Sequence, residues 1–142
     1  MAGCILSAGS GGRPGLGPKS QERNKPVGSN VIFFGWNRSI PGRERLSAQH
    51  FQEFVQYLGG LQQNGTIHSF DVVFLNAHGG DLNGFFLIRG DSGKLAELVR
   101  TSDWVTHMTR AVLHLEGSGA VLGVTGDTVA ERMKLWTSLL PA

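Results

Sequence analysis

The residues best suited to chemistry are concentrated in one segment, Asn76-Ala77-His78-Gly79-Gly80-Asp81-Leu82-Asn83-Gly84. A histidine titrates near neutrality, and a nearby carboxylate can orient its ring, so His78 and Asp81 form a candidate acid–base pair. The glycines between and after them let the backbone turn sharply or approach another group closely. The competing structural reading has Asp81 capping backbone amides and the glycines supplying positive φ. Trp36 and Arg38 share parity, so an extended chain places both on one face. An aromatic ring beside a guanidinium suits an aromatic or carboxylate ligand. Arg89, which closes another apolar run, is a third candidate substrate contact. The alternative is a core tryptophan with surface arginines.

The remaining histidines, His50, His68, His107 and His114, are dispersed along the chain. His114 and Glu116 share parity and would meet across a strand face, but no compact ligand spacing accompanies them, so no metal is expected. Cys4 is the single cysteine, which excludes an intramolecular disulfide and a cysteine-clustered zinc site. No phosphate-binding glycine loop, dinucleotide fingerprint or nucleophile elbow is present, and no cofactor is expected.

These residues must be positioned by an alternation of strands and helices. Val31–Trp36 is β-branched and aromatic and reads as a strand. After the Pro41-Gly42 turn, a helix begins near Glu44. Phe51, Phe54, Val55, Leu58 and Leu61 fall on one helical face, and Asn64-Gly65 stops it. Residues 66–75 alternate as a second strand, and Phe85–Arg89 form a third. Asp91 caps a helix over Lys94–Arg100, and Ser102 or Asp103 opens another to about Ala111. Val112–Leu115 reads as the fourth strand, resuming at Ala120–Val124 after Gly117-Ser118-Gly119. Asp127 or Thr128 opens a last helix to about Leu139.

The order β-α-β-β-α-β is the split βαβ of ferredoxin-like α+β folds, here with an extra C-terminal helix. It predicts a four-stranded antiparallel sheet with two main helices on one face. In the first three strands both faces carry large apolar groups, whereas a sheet covered on one side should show a polar face on the other. A large exposed apolar patch is unusual on a soluble monomer, so a second copy covering that face, as a homodimer, is expected.

Composition limits the alternatives. The chain has 142 residues, 40% of them hydrophobic, with a net charge of +2. Residues 1–29 hold seven of the 21 glycines and carry +3, leaving −1 for residues 30–142. The first segment is too polar and glycine-rich to bury a core and is expected to be disordered: a linker, an expression remnant or an early start. Residues 30–142 are the expected domain. No apolar run approaches the roughly 18 residues of a membrane span. Nucleic acid is also not an expected partner: the third strand lacks the basic-Gly-aromatic pattern of RNA-recognition modules, and the domain lacks a basic footprint. A cytoplasmic location is expected.

Gly35-Trp36-Asn37-Arg38, Pro41-Gly42-Arg43-Glu44 and His78–Gly90 resemble segments of small uncharacterised bacterial proteins of the dimeric α/β-barrel superfamily, over about residues 30–125. That group is related to YCII-like and antibiotic-biosynthesis-monooxygenase-like proteins. The resemblance implies a dimeric barrel and, by analogy with the His/Asp pair expected in YCII-related proteins, acid–base chemistry. It carries no particular activity with it. The expected function is cofactor-independent acid–base chemistry on a small aromatic or lactone-like molecule, with His78 and Asp81 as catalysts and Trp36, Arg38 and Arg89 as substrate contacts. The alternative is a non-catalytic ligand binder or structural homodimer.

Overall fold

The computed structural model describes residues 28–142. The segment expected to be disordered, residues 1–29, therefore lies outside the described residues apart from its last two, and Cys4 lies outside them as well. The elements are β1 (Val31–Trp36), α1 (Glu44–Gln63), β2 (Ser69–Phe74), β3 (Gly84–Arg89), α2 (Ser92–Leu98), α3 (Ser102–His114), β4 (Gly119–Gly123) and α4 (Asp127–Ser138). The sheet order is β2-β3-β1-β4, and every neighbouring pair is antiparallel. This is the ferredoxin-like arrangement, with α1 and the α2–α3 segment as the two crossovers.

Local chemistry accounts for the element boundaries. Glu44 sits in the first turn of α1, where its carboxylate accepts from the Gly42 amide at 3.2 Å. Its own backbone amide, and then the Gly42 amide, hold the Glu44 carboxyl below its usual pKa. At the other end Asn64 is the cap, and Gly65 follows at φ +80°. α3 is capped by Thr101, whose hydroxyl accepts from the Trp104 amide, rather than by Ser102 or Asp103. α4 begins at Asp127, after Gly126 at positive φ.

One expectation is overturned. Val112–Leu115 is not the fourth strand: residues 112–114 complete α3, and Leu115 is its cap. Trp104, His107, Ala111 and His114 recur at helical spacing, and Trp104, Ala111 and His114 are all buried. Burying that face requires the helix to continue through residue 114, and β4 is formed instead by Gly119–Gly123, which overlaps the segment Ala120–Val124 where the strand was expected to resume. The strand-parity pairing of His114 with Glu116 disappears with it.

One sheet face packs against the helices. Ile32, Phe34 and Trp36 of β1 and Phe86 and Ile88 of β3 join Phe54 and Leu58 of α1, Leu95 and Leu98 of α2, and Trp104 and Ala111 of α3. Phe54 is the hub, making edge-on contacts with the Phe34 and Phe86 rings at centroid distances of 5.4 and 5.0 Å. The opposite face carries Val31, Phe33, Phe85, Leu87 and Val121, placed side by side by the strand registers. The Phe33 and Phe85 rings lie 4.9 Å apart there. No helix residue of α4 is buried, and Val129, Met133 and Trp136 are exposed.

Candidate functional site

A cleft of about 630 Å³ opens where the end of β1 passes between the first turns of α1 and the end of α3. Its inner walls are aromatic: Phe34, Trp36, Phe51, Phe54, Phe74 and Phe86. Polar groups gather at one side: Asn37, Arg38, Ser39, Glu44, Ser47, His50, Asn83 and His114. The volume is that of a small-molecule site, and an apolar body with a few convergent polar groups is the usual composition of one.

Backbone contacts hold this geometry. β1 does not end cleanly at Trp36: Asn37 donates to the Glu116 carbonyl, Ile40 donates to the His114 carbonyl, and Ser39 bridges Leu115. The segment Asn37–Ile40 is thus tied to the end of α3, which keeps Trp36 and Arg38 on the cleft. Gly84 sits against the Trp36 ring; a Cβ there would come within 2.6 Å of the indole and 2.8 Å of the Val73 carbonyl oxygen. Only a residue without a side chain lets the tryptophan lie this close to β3.

Three of the histidines that appear dispersed in the sequence come together, with His50 and His114 lining the cleft and His107 behind them. His50 Nδ1 is 2.8 Å from His114 Nε2, and His50 Nε2 is 3.0 Å from His107 Nδ1. Ser47 Oγ lies 2.8 Å from His114 Nδ1 and accepts from Ser39 Oγ at 2.7 Å. Among the described residues no buried side-chain polar atom lacks a partner. The rings hydrogen-bond to one another through opposite edges, so their nitrogens do not converge on a point, and no set of three or more metal-ligating side chains occurs among the described residues.

Burial sets the charge of this cluster. It pushes His50 down to about 4, assisted by the Arg110 guanidinium and by the neighbouring imidazoles, with Glu53 opposing. Burial and then Arg110 lower His107 and His114 as well. Arg110 is itself paired with Glu53 at 2.6 Å. All three rings are therefore neutral at neutral pH, and each has one N–H and one bare nitrogen.

The other sequence candidates are placed differently. His78 is exposed on the β2–β3 loop, where Gly80 N–H donates to its Nδ1 at 3.1 Å and its Nε2 lies 2.8 Å from the Leu82 carbonyl oxygen. With Nδ1 accepting, Nε2–H is the donor to that carbonyl. Asp81 is exposed, and no hydrogen bond joins it to His78 among the described residues. The loop nonetheless springs from the cleft, since Phe74 and Asn83 at its two ends both line it. Trp36 and Arg38 meet in the cleft as parity implies, whereas Arg89 lies at the opposite end of the sheet, 2.5 Å from Asp71.

No protein-family model matches the chain, and no curated protein matches it. Among solved structures it is similar to a dimeric protein of unknown function and ferredoxin-like fold from Bacteroides fragilis NCTC 9343. The identity is 14% and the TM-score 0.46, over 64% of this chain and 91% of that one.

Ser47, His50 and His114 line the cleft and are candidate site residues that the sequence reading did not single out as such. The signal was present: His50 precedes Phe54 and Leu58 by four and eight residues on the buried face of α1. His107 and His114 likewise continue the Trp104–Ala111 stripe of α3. Two inward stripes on packed helices, each interrupted by histidine, place imidazoles opposite one another.

Proposed function

We propose that this protein binds a small aromatic or lactone-like molecule in the aromatic cleft and acts on it by cofactor-independent acid–base chemistry. The observation that carries this reading is the Ser47–His114 contact opening into a cleft otherwise walled by aromatic rings. The apolar walls take the body of the molecule. Arg38 offers a charged hydrogen-bond fork to a carboxylate or carbonyl. His114 serves as base through the Ser47 hydroxyl, and His50 fixes its ring. The His78–Asp81 pair is the alternative base, acting from the loop beyond Phe74 and Asn83. The assembly is a cytoplasmic homodimer of the dimeric α/β-barrel kind, in which the apolar open face of the sheet covers its symmetry mate.

The test is a titration of benzoate, 1-naphthoate and phthalide into ¹⁵N-labelled protein, followed by an assay of turnover for whatever binds. Amide shifts at Trp36, Ser39 and Ser47 are the expected result. His114→Gln should abolish turnover and keep binding, while His78→Ala leaves both. The reverse pattern moves the base to the loop. Absence of any cleft shift with the whole panel would reject the cleft reading in favour of a structural homodimer.

A further inference from the structure

The polar series that begins in the cleft continues through the protein. From Ser39 and Ser47 it passes to His114 at the end of α3, returns to His50 on α1 and crosses again to His107, two turns earlier on α3. His50 and His114 are buried at 4% and 5% exposure, but His107 is only partly covered, beside the Tyr57 ring at 4.5 Å. The series therefore has one end on the cleft and the other near solvent.

Three neutral imidazoles joined in this way have only two self-consistent proton arrangements. In one, every ring carries Nε2–H, and the donors run from Ser47 towards His107. In the other, every ring carries Nδ1–H, and the direction is reversed. Any mixture places two protons, or none, in one contact. We propose that Ser47, His114, His50 and His107 form a proton relay that carries a proton from a cleft-bound molecule to water at His107.

The relay rests on the acid–base reading of the cleft. In the forward step the bound molecule gives its proton to Ser47 Oγ, while Ser47 gives its own to His114 Nδ1. His114 passes Nε2–H to His50 Nδ1, His50 passes Nε2–H to His107 Nδ1, and His107 releases Nε2–H to water. The molecule becomes the anion and the proton is in solvent; each ring ends neutral with Nδ1 protonated, and no electrons are transferred. The reverse shift takes a proton from water at His107 and delivers one to the product. The charged groups along the path are Glu44 and Arg38 at the cleft end, the Arg110–Glu53 pair beside the rings, and Asp103 one turn before His107. Arg43 donates to the Leu113 carbonyl next to His114. Arg110 disfavours an imidazolium at any of the three rings, so a shift that leaves all of them neutral is the favoured route.

The experiment is ¹⁵N NMR of the histidine rings in the full chain, read for tautomer and for nitrogen–nitrogen coupling across the hydrogen bonds. Wild type should show couplings for His114–His50 and His50–His107, with the same tautomer at all three rings. Ser47→Ala should shift the tautomer balance of His107, two rings away. His107→Phe should release the single tautomer of His114 from the other end. Missing couplings in wild type, or changes confined to the ring next to the substitution, would overturn the relay. The wild-type measurement stands even where a variant fails to fold. Added benzoate separates the two readings. Coupled rings with no benzoate shift at Trp36 would overturn the cleft reading and with it the relay's proton source. Uncoupled rings with such a shift would overturn the relay alone.

Discussion

At the scale of single residues, the histidine cluster should dominate how stability responds to acid. The His50 ring titrates at 6.5 when free and at about 4 in the fold. Between those values the unfolded chain binds the proton and the folded chain does not, so stability rises with pH. The contribution is complete above about pH 6.5 and is lost as pH falls towards 4. One pKa unit corresponds to about 1.4 kcal/mol, so the loss is on the order of 3 kcal/mol from His50, and His107 and His114 add to it in the same direction. Urea midpoints measured from pH 7.5 to 4.5 should therefore fall steeply, and His50→Leu should flatten the profile. His50→Ala is a different perturbation. It opens a cavity and leaves His114 Nε2 and His107 Nδ1 without their partner, and should cost about 2–5 kcal/mol by urea denaturation at pH 7.5.

At the scale of elements, most of the framework is legible in the sequence because its signals are local. The run Val31–Trp36, the α1 stripe through Phe54 and Leu58, and the turn at Asn64-Gly65 each carry a propensity and a boundary within a few residues. The fourth strand is only partly legible in this way: its resumption at Ala120–Val124 overlaps β4, but its start at Val112 does not. Val112-Leu113-His114-Leu115 has the apolar content of a strand, whereas Gly119-Ala120-Val121-Leu122-Gly123 is small and flanked by glycine. Tertiary packing decides between them: α3 needs its last turn to bury His114 against α1, and the chain then pairs its weaker segment with β1. The candidate site was half legible for a related reason. Trp36 ends β1 and Arg38 lies two residues beyond it, so the pair is local in sequence, but Ser47, His50 and His114 meet only when two helices pack. The fit of β3 against Trp36 supplies a prediction at this scale. Gly84→Ala forces the indole or the Val73 carbonyl to move, should cost about 1–3 kcal/mol, and should reduce benzoate-induced shifts in the cleft.

At the scale of the whole molecule, the proposed dimer rests on the sheet face opposite the helices. Val121 is 60% exposed on β4 and lies beside Phe33 in the strand register. Val121→Lys removes little packing within one chain, so its effect on the monomer should stay within about 0.5 kcal/mol. In the proposed dimer the same charge would be repeated by symmetry across the face and lose its hydration. Sedimentation should show a dimer for wild type and a monomer with unchanged circular dichroism for the variant. A wild-type monomer at micromolar concentration would reject the homodimer.

The placement of the indoles also makes the protein its own spectroscopic reporter. The chain has three tryptophans, and each occupies a different environment: Trp36 on the cleft, Trp104 in the core at 3% exposure, and Trp136 on α4 at 58% exposure. Three double Trp→Phe variants, each retaining a single emitter, would separate ligand entry, unfolding and association into independent signals. The Trp36 emitter should respond to quenching by a bound aromatic acid, and the Trp104 emitter should red-shift only on unfolding. The Trp136 emitter, already in water, has only a blue shift available to it, and only contact with another surface can produce that.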